Sequence, residues 1–213
     1  MKTQDLINEL ATGVAPVRPG AIHRQLGSAL AIGTAATVTI VASTYGVRSD
    51  LSAALLEPVM WFKLAYPLLL TLVAASLVWR LAVPGRQTRG LDWTWLTPAL
   101  AVLAIGLFLL WQADPSQRLP LLLGQTWRSC ALSIALVSAP VLVGVLHALR
   151  RLGPTRLTQT GAIAGLLAGS VGAVAYALHC PEMSVPFIAM WNTLGIALMT
   201  GLGMWLGPRV LRW

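Results

Sequence analysis

Stretches of about twenty mostly apolar residues recur along this chain, more of them than a water-soluble core of this size can bury. A helix rises about 1.5 Å per residue, so about 20 residues cross the roughly 30 Å hydrocarbon layer of a bilayer. The runs occupy 26–47, 59–83, 93–112, 131–149, 160–178 and 187–206. Apolar residues make up 56% of the chain and charged ones only 10%, a balance that calls for lipid as the solvent of most side chains. The expected fold is an all-α membrane protein, a six-helix transmembrane bundle.

The stretches between the runs are short and rich in Pro, Gly and Arg, and none is long enough for a second domain. Two regions are expected: 1–25, a cytoplasmic N-terminal helix and tether, and 26–213, the transmembrane domain with a cytoplasmic C-terminal tail. Lys and Arg in short loops accumulate on the cytoplasmic side. With the N-terminus inside, Lys2, Arg18, Arg24, Arg80, Arg86, Arg89, Arg150, Arg151, Arg156, Arg209 and Arg212 are cytoplasmic. Only Arg48, Arg118 and Arg128 fall clearly outside. The expected topology is therefore N-in/C-in, multi-pass in a bacterial inner membrane. The first run is too long for a signal-peptide core and no small-residue cleavage site follows it, so it is expected to remain as the first helix.

The net charge of +8 is dispersed over helix ends rather than gathered in one patch, which argues against direct nucleic-acid binding and for contact with anionic lipid. Trp61, Trp79, Trp93, Trp95, Trp111, Trp127, Trp205 and Trp213 lie near helix ends, where an amphipathic indole is best accommodated. Gly161, Gly165 and Gly169 recur every four residues on one face of the fifth helix, a small-residue stripe for close packing, and Gly203 and Gly207 echo it in the sixth. Packing within one bundle accounts for the stripe more simply than a dimer interface does.

Solute pathways and proton relays need polar groups deep in the membrane, and these are nearly absent. Lys63 is the one charge inside an apolar run, about a turn from the outer end of the second helix. Snorkelling to the interface is the expectation, and pairing with Glu57 or Asp50 is the alternative. Pro67 and Pro140 are expected to interrupt helices two and four, as proline often does in membrane bundles.

The two cysteines, Cys130 and Cys180, both fall at the outer membrane surface in this topology. Their matching depth would allow a disulfide, and the periplasm would permit one. His179 precedes Cys180, and Pro181 and Glu182 follow. Thiolate and imidazole suit soft or borderline ions, so Cys130, Cys180 and His179 are the candidate ligands of a transient soft metal ion, with no cofactor otherwise expected. The spacing matches no established metal motif. A structural disulfide, inert thiols, and a redox or metal sensor all remain open. His23 and His147 lie near helix ends and read as interfacial. No nucleophile with a base and orienter, no phosphate loop and no paired carboxylates occur, so catalysis is not expected.

The N-terminal stretch has helical periodicity. Thr3 is placed to cap a short helix in which Leu6, Ile7 and Leu10 share a face, while Gln4, Asp5, Asn8 and Glu9 are polar. Gly13, Pro16, Pro19 and Gly20 then form a tether. So short a helix is marginal alone and suits a partner's groove, and its acidic polar face argues against lying on a membrane.

At these residues the chain resembles the NrsF family, whose name stands for negative regulator of sigma F. The resemblance runs through Met1 to Ile7, the Ala-Pro-Val-Arg of Ala15 to Arg18, the Val-Pro-Gly-Arg of Val83 to Arg86, the His-Cys-Pro-Glu of His179 to Glu182 and the closing Leu-Arg-Trp. It departs at Met183 to Val185, so no ligand beyond Cys180 is carried over. It implies a membrane anti-sigma factor that holds an extracytoplasmic-function sigma factor inactive until envelope, oxidative or metal stress releases it. On that resemblance the sigma-factor contacts are Thr3, Asp5, Leu6, Ile7, Glu9 and Leu10, with the cytoplasmic loops. Cys130 and Cys180 would be the sensing pair, with His179 beside them. The competing expectation is a small transporter or a membrane thiol oxidoreductase, against which stand the scarcity of buried polar residues and the lack of a CxxC pair.

Overall fold

The structure is a computed structural model in which residues 3, 5, 8, 9, 12, 20–83 and 96–212 are described. The apolar face Leu6, Ile7 and Leu10, most of the tether, Arg86, Arg89, Trp93, Trp95 and Trp213 lie outside the described residues. Everything described that is regular is helical. In chain order these are α1 (Ala21–Ile40), which runs into a π-helical turn (Val41–Tyr45), then α2 (Leu51–Ala54), α3 (Pro58–Leu81) and α4 (Thr97–Gln112). They are followed by α5 (Pro115–Leu123), α6 (Trp127–Val137), α7 (Ala139–Arg150) and α8 (Leu157–Ala177). The short α9 (Val185–Phe187) and a second π-helical turn (Ile188–Asn192) lead into α10 (Thr193–Val210).

Among the described residues, five helical stretches are long and apolar enough to cross a membrane: 21–45, 58–81, 115–150, 157–177 and 185–210. The third of these is a chain of α5, α6 and α7. A turn at Gly124 parts α5 from α6, and a break at Ser138, beside Pro140, parts α6 from α7. Proline lacks the N–H that would continue the ladder, so the fourth expected helix is two pieces rather than one. Ser138 Oγ donates to the Ile134 carbonyl at 2.6 Å, and Thr37 Oγ1 reaches across from α1 to the Val137 carbonyl at 2.9 Å. Pro67 leaves α3 continuous. Its carbonyl accepts from Thr71 Oγ1 at 2.9 Å, and that hydroxyl also lies 3.0 Å from Ser170 Oγ of α8.

The helix α8 is the axis of the bundle, with nearly all of its apolar window buried and α10, α3, α7 and α6 around it. A helix apolar all round has no solvent face to keep, and small residues let its neighbours come close. A Cβ built on Gly165 would collide with the Met199 backbone of α10, and one on Gly161 with Gly203 and Gly207. A Cβ on Gly169 would lie 3.0 Å from the Ile196 Cα. The stripe thus sets the spacing of α8 and α10 within one chain. On the bundle's outside, Ile32, Leu68, Leu69, Leu72, Leu107, Phe108, Leu136 and Val143 are exposed. That apolar belt is what lipid, not water, would solvate.

The helix α4 is peripheral, with Val102 and Gly106 its buried residues. A Cβ on Gly106 would fall 2.6 Å from Ala189 Cβ, so this glycine lets α4 close on the second π-helical turn.

Candidate functional site

Three connecting segments meet at one end of the bundle and are tied together by polar contacts. Gly46, at φ 77°, ends the first π-helical turn in a conformation that L side chains rarely adopt. Beyond it the Arg48 N–H donates to the Leu178 carbonyl at 3.1 Å. The Arg48 guanidinium grips Asp50 through two bonds of 2.7 Å and reaches Met183 Sδ at 3.5 Å. That pairing holds the Asp50 carboxyl below its usual range. His179 Nδ1 lies 3.1 Å from the Gly46 carbonyl, and its ring packs against Tyr45 and Tyr176.

On the other flank the Glu182 carboxylate is the tie. Its Oε1 accepts from the backbone N–H groups of Gln125 at 2.6 Å and Thr126 at 3.1 Å, and from Thr126 Oγ1 at 3.3 Å. Gly124, at φ 54°, makes the cradle possible, because a Cβ there would meet the carboxylate at 2.5 Å. Ser184 Oγ donates to the Leu121 carbonyl at 2.7 Å, and Trp191 Nε1 to Leu122 at 2.9 Å. The loop after α8 is therefore moored to the segment after α1 and to the α5–α6 turn.

Beneath this loop lie Cys130, 0% exposed, and Cys180, 1% exposed, both free thiols. They are near enough for each to perturb the ionisation of the other. Cys130 sits on the first turn of α6, with Asn192 Oδ1 3.9 Å from its sulfur. Lys63 of α3 completes the group at 1% exposure. Its Nζ donates to the carbonyls of Cys180 at 2.6 Å and Glu182 at 2.8 Å. The Cys180 thiol is held below its ordinary range, chiefly by the hydrogen bond from Cys130 and then by the Lys63 ammonium, against the opposing effect of burial. Two adjacent thiols, one biased toward thiolate, form a unit that an oxidant can close into a disulfide.

Several sequence expectations change here. Lys63 neither snorkels to the surface nor pairs with Glu57 or Asp50. Its α3 position faces the loop after α8, whose carbonyls lie nearer than bulk water and satisfy it. The cysteines share one end of the bundle but are buried, Cys130 under the loop after α8 and Cys180 within it, rather than on its surface. His179 is turned to Gly46, and among the described residues no three His, Cys, Asp or Glu side chains assemble as a metal-holding group. Cys130, Cys180 and His179 therefore stand as a thiol pair with a separate histidine.

Thr3, Asp5 and Glu9 are helical and exposed, with Thr3 inside the helical turn rather than capping it. Thr12 closes that turn, its N–H and Oγ1 both donating to the Asn8 carbonyl at 3.0 and 2.8 Å. His23 packs against Trp79, and His147 lines a cleft of about 320 Å³ between α1 and α7 at the far end of the bundle, with Gln25, Ser28 and Arg151. Sequence reasoning missed Glu182 as a mooring group, Asn192, and the role of Lys63. The one signal available was Lys63 itself, a lone charge in an apolar run.

The family model described as NrsF, negative regulator of sigma F, matches residues 10–213. A protein of Azospira oryzae named "probable anti-sigma-F factor NrsF" is 40% identical over 213 residues, covering 100% of both chains. The anti-sigma-F factor NrsF of Caulobacter vibrioides is 36% identical over 217 residues, again covering 100% of both. No solved structure matches the chain. A match of this extent, with relatives aligned from end to end, makes the chain a member of the NrsF family of negative regulators of sigma F.

Proposed function

We propose that this chain is an inner-membrane anti-sigma factor that sequesters an extracytoplasmic-function sigma factor at its cytoplasmic face. In this reading it releases that factor when envelope, oxidative or metal stress acts on Cys130 and Cys180 at the outer face. The observation that carries the reading is the family match over nearly the whole chain, joined by relatives named as anti-sigma-F factors. The buried thiol pair under a moored loop gives the reading its input site.

The bundle crosses six times with both termini in the cytoplasm. The sixth crossing is α4, whose 16 described residues rise about 24 Å and whose apolar run in the sequence begins earlier, at Trp93. The distribution of Lys and Arg supports the orientation, and those residues also meet anionic lipid. The N-terminal helix, through Thr3, Asp5, Leu6, Ile7, Glu9 and Leu10, occupies the sigma factor and keeps it from RNA polymerase. Regulation by occupancy needs no catalytic group.

Signal passes as a two-state rearrangement. Oxidation or metal binding at the thiols pulls on α6, which carries Cys130, and on the loop after α8, which carries Cys180, and the cytoplasmic ends of α7, which continues α6, and of α8 shift. Capture of the tagged full chain from detergent-solubilised membranes, with the bound proteins identified by mass spectrometry, tests the first half of the proposal. A sigma factor recovered in near-stoichiometric amount is expected, and a capture without any sigma factor contradicts it.

A further inference from the structure

Among the described residues Lys63 is the charged side chain that is fully buried. Desolvating an ammonium is costly, and an aliphatic side chain would fill the same space without that cost. What the charge faces is therefore informative. Its two hydrogen-bond acceptors are neutral carbonyls, those of Cys180 and Glu182. The nearby carboxylates are committed elsewhere, Asp50 to Arg48 and Glu182 to Gln125 and Thr126. The groups left beside the ammonium that can carry negative charge are the two thiols, with the Tyr176 phenol flanking them.

The thiols are not equivalent. The ammonium bonds the carbonyl of Cys180 itself, so its charge sits on that residue. The sulfur of Cys130 has the Asn192 Oδ1 acceptor 3.9 Å away, which favours keeping its proton. We propose that Lys63 is a positioning residue that makes Cys180 the attacking thiol and Cys130 the resolving thiol toward a peroxide-class oxidant. The inference rests on the thiol-sensing reading above.

In the first step the Cys180 thiolate attacks one peroxide oxygen. An S–O bond forms, the O–O bond breaks, and sulfur yields two electrons as the second oxygen leaves as hydroxide and is protonated to water. In the second step Cys130 attacks the sulfenic sulfur. The S–S bond forms, the S–O bond breaks, and the Cys130 proton leaves with the hydroxyl group as water. Lys63 takes no part in either proton transfer. The disulfide is neutral, so oxidation removes the anion that faced the ammonium and leaves a buried charge held by two carbonyls alone, a change felt directly by α3.

The test uses the full chain in reduced native membrane vesicles treated with hydrogen peroxide. Reaction is stopped with acid, the protein is denatured, and remaining thiols are counted by a maleimide mass tag, so burial does not limit the readout. Lys63→Arg is expected to form the disulfide within about threefold of the wild-type rate. Lys63→Gln, which keeps donors without charge, and Lys63→Met are expected to be slower by at least about tenfold, the equivalent of one pKa unit. In a Cys130→Ser background, dimedone is expected to trap a sulfenic acid on Cys180, and Lys63→Gln to suppress the adduct.

Gln and Met variants oxidising within about threefold of wild type, an Arg variant as slow as Gln, or no adduct on Cys180 in the Cys130→Ser chain where a Cys180→Ser chain gives one on Cys130, would each overturn the proposal. Should Lys63→Met fail to insert, the Gln and Arg variants decide. A wild-type chain that forms no disulfide under peroxide removes the thiol-oxidation reading itself, whereas a normal wild type with insensitive Lys63 variants removes only the role of Lys63.

Discussion

Cells carrying the Cys130→Ser, Cys180→Ser double variant are expected to keep the sigma factor's genes silent and to leave them silent under oxidant or metal stress. Serine nearly matches the volume of cysteine, and the hydroxyl at position 130 keeps Asn192 Oδ1, 3.9 Å from the sulfur, as a polar neighbour. At position 180 the Lys63 bond is to the backbone carbonyl, which the substitution leaves in place. The bundle and its cytoplasmic face should therefore persist. What serine cannot do at these potentials is form an S–S bond or bind a soft ion. Reporter induction in the double variant is expected to fall to the unstressed level. Normal induction would remove the thiols from the signal path, and unrepressed expression without stress would mean that they serve the fold instead.

The second large effect concerns the N-terminal segment, cytoplasmic in the proposed topology. Deleting residues 1–12 is expected to cut recovery of the sigma factor in membrane capture to below about a tenth of wild type, with normal insertion of the chain. The estimate follows from the apolar face. Burying a Leu or Ile side chain is worth about 1.5–3 kcal/mol, and three anchors, Leu6, Ile7 and Leu10, are removed at once. Part of that is offset by ordering a helix that is marginal on its own. The exposed, helical Thr3, Asp5 and Glu9 would form the polar rim of the contact. Full recovery after the deletion would move the sigma-factor site to the cytoplasmic loops or to the cleft between α1 and α7.

Five of the six apolar runs were legible as span-length helices because hydropathy acts on whole helices, and a helix of the right length has one way to satisfy its backbone in lipid. The ends of the runs at Val59 and Thr160 fall within a few residues of the starts of α3 and α8. The break between α6 and α7 was only half legible. Pro140 marked an interruption, but whether a membrane helix continues past a proline depends on neighbours, and Pro67 sits in an unbroken α3.

The thiol site was legible as a placement and not as an environment. Cys130 and Cys180 share one end of the bundle because helices alternate in direction. The acceptors of Lys63, by contrast, come from a loop 117 and 119 residues away along the chain. A rule that reads a lone lysine near a helix end as snorkelling cannot know that two carbonyls will cap it. Glu182 was hidden in the same way. Its neighbours in sequence give no sign of its partners, which come from the turn at Gly124, where a cradle of N–H groups claims its carboxylate. The amphipathic α5 is too short to register as a span, and its carbonyls anchor Ser184 and Trp191.

The central claim is that a chemical change at the thiols on one side of the bundle alters sigma-factor occupancy on the other. It is tested most directly on the purified complex of chain and sigma factor in lipid nanodiscs. The Cys130–Cys180 disulfide is formed with peroxide and confirmed by mass, and the bound sigma factor is then quantified. Release that tracks disulfide formation in the wild type, with retention in the Cys180→Ser variant, is the predicted result. A sigma factor that stays bound after the disulfide has formed would contradict the account.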